Sequence, residues 1–163
     1  MIFVTVGTQL PFDRLIHAVD AWAGRSGRRD IFAQIGPSEL RPQHIEYRPF
    51  LSPADFTRNF AGAELVIAHA GMGSILSAMS QGKPILVMPR RASLNEHRND
   101  HQLATARRFK EMGHILVAMD EHELDAQLSR LESMPAASRI GLYASPELLS
   151  VVRTFLFSGD SVL

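Results

Sequence analysis

The chain has 163 residues, 45% of them hydrophobic and 21% charged, a composition typical of a single soluble globular domain. Its 17 basic and 17 acidic residues cancel, which argues against a nucleic-acid partner held by bulk charge. The absence of cysteine excludes disulfides, thiolate catalysis and cysteine-ligated metal, and it fits a reducing cytoplasm. No apolar run approaches the roughly 20 residues that span a bilayer, so we expect membrane association only through a partner or an amphipathic surface.

Apolar runs alternate with amphipathic segments along the chain. The runs predict strands over residues 2–6, 30–35, 45–48, 65–68, 85–88 and 115–117. Helical spacing and cap residues predict helices over residues 11–23, 53–61, 74–81, 100–112 and 121–134. This alternation predicts an α/β fold with a Rossmann-like parallel sheet covered by helices on both faces. We expect one domain over residues 1–163, with a core over residues 1–134 and a terminal helix and tail over residues 145–163.

A glycine-rich turn, His-Ala-Gly-Met-Gly-Ser over residues 69–74, directly follows the fourth predicted strand. Gly71 and Gly73 allow a sharp turn and close approach to a ligand. Ser74 is predicted to begin a helix, whose free N–H groups and positive dipole end favour a phosphate. We therefore predict a mononucleotide or diphosphate site here. The same glycines are also typical of a plain strand-to-helix turn that binds nothing.

Two further loops favour the ligand-binding interpretation. A long polar segment over residues 90–102 follows the next strand, and Gly7, Thr8 and Gln9 follow the first strand. Because the carboxyl ends of parallel strands share one edge of the sheet, where open α/β sheets bind ligands, we expect all three loops to lie together.

Three familiar types of site fit the sequence poorly. The dinucleotide fingerprint requires a third glycine where Leu76 stands, and it should follow the first strand. Arg90 could still bind the 2′-phosphate of NADP, so NADP remains an open alternative. No Gly-x-x-x-x-Gly-Lys-Ser/Thr loop of an ATPase or kinase is present. His97 and His101 are four residues apart but lack the zincin order, and the chain contains no Asp-x-Asp pair. We therefore expect neither a metal nor another cofactor.

Three motifs in combination resemble a known family: the opening Phe-Val-Thr-Val-Gly-Thr over residues 3–8, the turn over residues 69–74, and Gly-Lys-Pro over residues 82–84. They resemble the C-terminal, donor-binding domain of family 28 glycosyltransferases, the MurG-like family, over about residues 1–130. Among single-domain members, the chain looks like bacterial exopolysaccharide subunits of the PssE type. It is also similar to the catalytic subunit of the eukaryotic dolichol-linked N-acetylglucosamine transferase. The resemblance implies the C-terminal half of a GT-B fold with a UDP-sugar in its cleft.

The resemblance also implies roles for individual residues. The diphosphate would contact Gly7, Thr8, Gln9, Gly71, Met72, Gly73 and Ser74. The uridine would contact Phe50, Leu51 and Ser77, the last at a position where the family commonly has a glutamate. The sugar would contact His69, Arg90, Arg91, Glu96, His97, Arg98, Asp100, His101 and Gln102. Either His97 or His101 could be the family's sugar-recognising histidine.

The implied function is that of the donor-binding catalytic subunit of a split, inverting glycosyltransferase. It would move a sugar from a UDP-sugar to a polyprenyl-diphosphate-linked acceptor in exopolysaccharide synthesis. The sequence offers no convincing catalytic base. The base and the acceptor site are therefore expected on a membrane-anchored PssD-type partner, which would hold this chain at the inner face of the cell membrane.

Several alternatives to this function remain open. Three arginines in the polar segment suit a carboxylate and favour UDP-glucuronate, but they could equally line a surface or meet the partner. UDP-N-acetylglucosamine is therefore the alternative donor. A non-catalytic, nucleotide-binding regulatory subunit is also compatible with the sequence. An epimerase with both halves in one chain is disfavoured by length.

Overall fold

Six parallel strands form one sheet in the order β3-β2-β1-β4-β5-β6. The computed structural model describes residues 1–113 and 115–133, and the side chains among them as far as residue 130. The strands are β1 (Ile2–Thr5), β2 (Ile31–Gln34), β3 (Glu46–Arg48), β4 (Leu65–His69), β5 (Ile85–Met88) and β6 (Leu116–Val117). The helices are α1 (Asp13–Ser26), α2 (Pro53–Gly62), α3 (Met72–Ser80), α4 (His101–Met112) and α5 (Glu121–Ser133), with a 3-10 turn over Ala92–Leu94. The terminal helix expected over residues 145–163 lies outside the described residues.

The helices cover both faces of the sheet, which confirms the predicted fold class. Alternate residues of β1 point to opposite sides, so Val4 packs with α1 and α5 while Phe3 packs with α2, α3 and α4. The chain runs outward from β1 to β3 and then returns to β4 beside β1. The connections after β1 and β4 therefore diverge, and they leave a crevice above the carboxyl ends of these two strands.

Local cap chemistry sets most helix boundaries as the sequence predicts. The Ser52 Oγ accepts a hydrogen bond of 3.1 Å from the Asp55 N–H, with Pro53 as the first residue of α2. Gly113 ends α4 in the left-handed conformation. Two predicted starts were wrong. Helix α1 begins at Asp13 rather than at residue 11, because Phe12 stands before the helix with its ring in the core.

The second wrong start concerns the glycine-rich turn. Helix α3 begins at Met72, two residues before Ser74, because the chain turns tightly enough for Gly71 to stand at the N-cap. Gly73 is consequently a helical residue in the first turn. None of the helices in the described ranges is both long and apolar enough to cross a membrane.

Candidate functional site

A cavity of about 280 Å³ lies above the carboxyl ends of β1, β4 and β5. The loop after β1, the end of β4 and the polar segment after β5 supply its lining, which consists of Val6, Gly7, Thr8, Gln9, Leu10, His69, Arg90, His97 and Gln102. The structure thus brings together residues from three separate loops at the crevice between β1 and β4. We call this space the cleft cavity.

The His69 ring lies between two glycines. A Cβ added at Gly71 would lie 2.3 Å from the His69 Nε2, and one added at Gly7 would lie 3.0 Å from its Cε1. Gly7 also has a φ of 78°, which most side chains avoid. Both glycines are therefore needed to accommodate this ring, whether or not a ligand approaches the backbone. Gly73 differs, since apart from its chain neighbours and the backbone of its own helix no described atom lies within 4 Å of the position of its Cβ.

His69 is a neutral imidazole at neutral pH. Burial lowers its pKa to about 4, and the neighbouring Arg90 and His97 act in the same direction, while the Thr5 carbonyl opposes them. Its buried Nδ1 has no partner in normal hydrogen-bonding geometry among the described residues. The ring therefore supplies shape and polar atoms to the cleft cavity but no positive charge.

Burial of His69 predicts a loss of stability in mild acid. The unfolded chain binds a proton near pH 6.5 and the folded chain only near pH 4, so the stability present above about pH 6.5 falls until the folded protein also protonates. From about pH 7 to about pH 5 we expect this residue to remove about 2 kcal/mol from the free energy of unfolding. Urea unfolding is measured at several pH values across this range. The free energy of unfolding should fall less steeply with decreasing pH for His69→Gln than for wild type, and His17→Gln, at an exposed position, is the control. Parallel pH curves for wild type and His69→Gln would contradict the assignment.

The amino end of α3 adjoins the His69 ring and is suited to an anion. Gly71 provides no side-chain cap, and the first hydrogen bond of the helix joins the Ile75 N–H to the Gly71 carbonyl at 3.2 Å. The N–H groups of Met72, Gly73 and Ser74 therefore precede the intrahelical hydrogen bonds. Met72 and Gly73 are exposed and Ser74 is half-buried. This end combines free donors, a positive dipole and open space.

Arg90 connects the loop after β1 to the polar segment through hydrogen bonds. Its buried guanidinium donates from Nη2 to the carbonyls of Val6 and Leu10, both at 2.7 Å, and from Nη1 to those of Pro11 at 2.5 Å and Glu96 at 3.2 Å. Burial lowers its pKa to about 10, still well above neutral pH. Four donated hydrogen bonds give this arginine a structural role. Its predicted sugar contact stays a prediction that these contacts do not favour.

Glu96 is likewise occupied by protein groups. Its two carboxylate oxygens accept from the Arg14 Nε at 2.7 Å and the Arg14 Nη2 at 2.8 Å, and one also accepts from the Arg91 N–H at 2.8 Å. Arg14 reaches Glu121 on α5 at 3.0 Å as well. This network joins α1, the polar segment and α5. Sequence reasoning missed Arg14, because nothing local marks a helical arginine as the partner of a residue 82 positions away.

The remaining residues of the polar segment diverge. His97 and the buried Gln102 line the cleft cavity, and the Gln102 Oε1 accepts from the Arg90 N–H at 3.2 Å. His101 is exposed and does not line that cavity, so between the two candidate histidines the structure places His97 there. Arg98 is exposed, and the Asp100 Oδ1 accepts from the Ala92 N–H at 2.9 Å. Arg91 points away from the cleft cavity, donating to the Met119 carbonyl at 2.9 Å beside a different cavity.

The residues predicted to contact uridine do not line the cleft cavity. Phe50 is 52% exposed and Leu51 half-buried after β3, while Ser77 is exposed on α3. The buried Gln34 connects this region to the cleft cavity: its Oε1 accepts from the Leu51 N–H at 3.2 Å and its Nε2 donates to the Gly7 carbonyl at 3.4 Å. Sequence reasoning also missed Gln34, although a polar residue ending an apolar strand is a usable signal. In the described ranges no three histidine or carboxylate side chains are placed to hold a metal.

The sheet order, crevice and helix end define the fold of the C-terminal half of GT-B glycosyltransferases. The chain superposes on MurG of Acinetobacter baumannii with a TM-score of 0.59 at 17% identity, covering 93% of this chain and 49% of that one. It superposes on the solution structure of ALG13 with a TM-score of 0.57 at 21% identity, covering 81% and 85% of the two chains. These likenesses show the fold alone.

The chain belongs to the glycosyltransferase family 28 C-terminal domain family, whose model matches residues 1–141. It is 33% identical over 125 residues to the human UDP-N-acetylglucosamine transferase subunit ALG13. That alignment covers 70% of this chain and 10% of the human protein. The chain thus spans only a small part of this curated relative.

Proposed function

We propose that the chain holds the UDP-sugar donor of a glycosyltransferase whose acceptor site lies on a second subunit. The observation that carries this proposal is the meeting of the cleft cavity with the uncapped amino end of α3 at the crevice between β1 and β4. In parallel α/β sheets this crevice is the usual place for a nucleotide. Membership of family 28 supports the same assignment.

The proposed arrangement places each part of the donor against a different loop. The diphosphate lies on the free N–H groups of Met72, Gly73 and Ser74, with Thr8 and Gln9 beside it. The uridine extends toward Phe50, Leu51 and Ser77, and the sugar toward His97 and Gln102. When the bond between sugar and phosphate breaks, negative charge develops on the departing diphosphate, and N–H groups fixed at a helix end stabilise it without a metal.

The donor that we propose is UDP-N-acetylglucosamine. The curated relative is named for transfer from this donor, and the geometry weakens the case for glucuronate. A glucuronate carboxylate would need an available arginine, but Arg90 is engaged by four carbonyls and Arg91 faces a different cavity. The third arginine of the segment, Arg98, is exposed and does not line the cleft cavity. A PssE-type role in exopolysaccharide synthesis rests on the sequence resemblance alone.

The acceptor half is proposed to reside on a membrane-anchored partner. The human relative is named a subunit, which supports a two-part enzyme. His69 has a pKa of about 4 and is too weakly basic to deprotonate an acceptor hydroxyl at neutral pH. We therefore place the catalytic base on the partner, together with the site for a polyprenyl-diphosphate-linked acceptor. Transfer assays on membranes, with and without a co-expressed partner, test this division; full transfer by the isolated chain would contradict it.

Gly73→Asp is expected to weaken UDP binding about thirtyfold, while Gly73→Asn, of the same shape, should weaken it less than about threefold. A carboxylate in the first turn of α3 favours the helix dipole, and nothing described lies within 4 Å of the added Cβ, so folding is preserved. The same charge repels a diphosphate. Calorimetric titration measures the affinity of both variants for UDP. Their affinities for uridine, which lacks the phosphates, should be similar. Equal affinity of Asp and Asn variants for UDP would contradict the site.

The donor sugar is tested by titrating the wild-type chain with UDP-N-acetylglucosamine and UDP-glucuronate. We expect tighter binding of UDP-N-acetylglucosamine. Tighter binding of UDP-glucuronate would overturn the choice of sugar while leaving the diphosphate site intact, because both donors share the UDP moiety.

A further inference from the structure

A second cavity lies on the far side of the polar segment. Its volume is about 570 Å³, roughly twice that of the cleft cavity, and it opens between the 3-10 turn, α4 and the end of β6. Its lining consists of Arg91, Ser93, Leu103, Arg107, Lys110, Glu111 and Met119. Neighbouring arginines therefore face different spaces, with Arg90 beside the cleft cavity and Arg91 beside this one, which we call the basic cavity.

Cationic side chains outnumber carboxylates among the residues that line the basic cavity. Three of its lining side chains are cationic and one is a carboxylate, that of Glu111. Lys110 is paired with Glu123 at 2.7 Å, and Arg91 lies close enough to Asp120 to help lower the pKa of that carboxyl. Arg107 is therefore the lining cation that has no ion pair among the described residues.

The two arginines have unused hydrogen-bonding capacity. Arg91 is held by one bond from its Nη2 to the Met119 carbonyl, while its Nε is buried without a hydrogen-bond partner among the residues described. A buried unpaired donor of this kind costs about 1–3 kcal/mol unless a ligand or water satisfies it. Arg107 is exposed and makes no hydrogen bond or ion pair within residues 1–113 and 115–133. One fixed and one free guanidinium at the same opening suit an oxyanion.

We propose that the basic cavity is a second, phosphate-binding site, separate from the donor site. Guanidinium groups bind phosphate oxygens in pairs of parallel hydrogen bonds, and the apolar Leu103 and Met119 would accept an apolar part of the same ligand. The shared chemistry is a phosphate group, either on a small diphosphate or on the headgroup of an anionic phospholipid. The proposal does not depend on the identity of the donor sugar.

The test uses two neighbouring arginines of α4. Arg107→Gln removes a charge from the basic cavity, and Arg108→Gln removes the same charge from an exposed position that does not line it. Inorganic pyrophosphate is titrated calorimetrically at physiological ionic strength, and flotation is measured with phosphatidylglycerol and with phosphatidylcholine vesicles. We expect Arg107→Gln to weaken pyrophosphate binding, or binding to phosphatidylglycerol vesicles, about tenfold, and Arg108→Gln to leave it within about twofold of wild type.

The outcomes separate the two sources and the two sites. A loss on Arg107→Gln seen with pyrophosphate supports a small diphosphate, and one seen only with phosphatidylglycerol vesicles supports a lipid headgroup. Pyrophosphate can also occupy the donor site, so the titrations are repeated in the Gly73→Asp background, where the loss on Arg107→Gln should persist. Arg107→Gln should leave UDP affinity unchanged, so failure of one site is distinguishable from failure of the other. Equal losses in both arginine variants, or no binding to any of these phosphates, would overturn the proposal.

Discussion

Replacing Gly71 by alanine is expected to destabilise the protein by about 3 kcal/mol, near the upper end for overpacking a buried site. The added Cβ would lie 2.3 Å from the His69 Nε2, well inside van der Waals contact. The ring has little room to shift, because it also lies close to the backbone of Gly7, where an added Cβ would be 3.0 Å from the His69 Cε1. The backbone conformation of Gly71 itself, with φ −90° and ψ 134°, is open to any residue. The loss should therefore come from the collision with the ring.

A double-mutant cycle tests that cause directly. In a His69→Ala background the collision partner is absent, so Gly71→Ala should cost less than about 1 kcal/mol, the loss of a glycine N-cap. Gly73→Ala is the matched control, since its Cβ has no described neighbour and alanine favours the helix. Urea unfolding measures the four proteins of the cycle and the Gly73→Ala control. A cost for Gly71→Ala that is the same with and without His69 would show that the glycine is required for another reason.

The extent to which this fold could be predicted from sequence follows from the range of the interactions involved. Apolar periodicity and caps such as Ser52 and Gly113 are local, and they predicted each described strand and helix with boundaries a few residues off at most. The alternation of elements predicts a parallel sheet but not its strand order, because more than one doubly wound order fits the same alternation. The early start of α3 escaped prediction because Gly71 rather than Gly73 stands at the N-cap, and the His69 ring beside Gly71 also lies against Gly7, 62 residues away in sequence.

The interior of the site was harder to predict for the same reason. The segments that form the cleft cavity could be identified, because each follows a strand at one edge of the sheet. The direction of each side chain within them could not, since contacts distant in sequence decide it. Arg90 bonds to Val6, 84 positions away, and Arg91 to Met119, 28 positions away. An inference that three arginines in one loop share a ligand therefore depended on orientations that tertiary contacts control.

Glu96→Gln is expected to destabilise the protein by about 3–5 kcal/mol, the cost of breaking a buried ion pair by removing one charge. Arg14 and Glu96 are only 14% and 11% exposed, and their two parallel hydrogen bonds measure 2.7 Å and 2.8 Å. Glutamine keeps the shape but can accept only one of these bonds, so it leaves the guanidinium without its counter-charge. Arg14 retains Glu121, which places the expected cost toward the lower part of the range.

The Arg14→Met, Glu96→Leu double variant shows how much of the loss in the free energy of unfolding comes from leaving Arg14 without its counter-charge and how much from losing the ion pair. Because both charges are removed together, we expect the double variant to lie within about 2 kcal/mol of wild type, well above Glu96→Gln. The exposed pair of Arg58 and Asp55 provides the control, and Arg58→Gln should cost less than about 1 kcal/mol. Urea unfolding measures these differences. A double variant as unstable as Glu96→Gln would mean that the hydrogen bonds of these two side chains, including those to the Arg91 N–H and the Pro89 carbonyl, rather than avoidance of an unpaired charge, hold α1 against the polar segment.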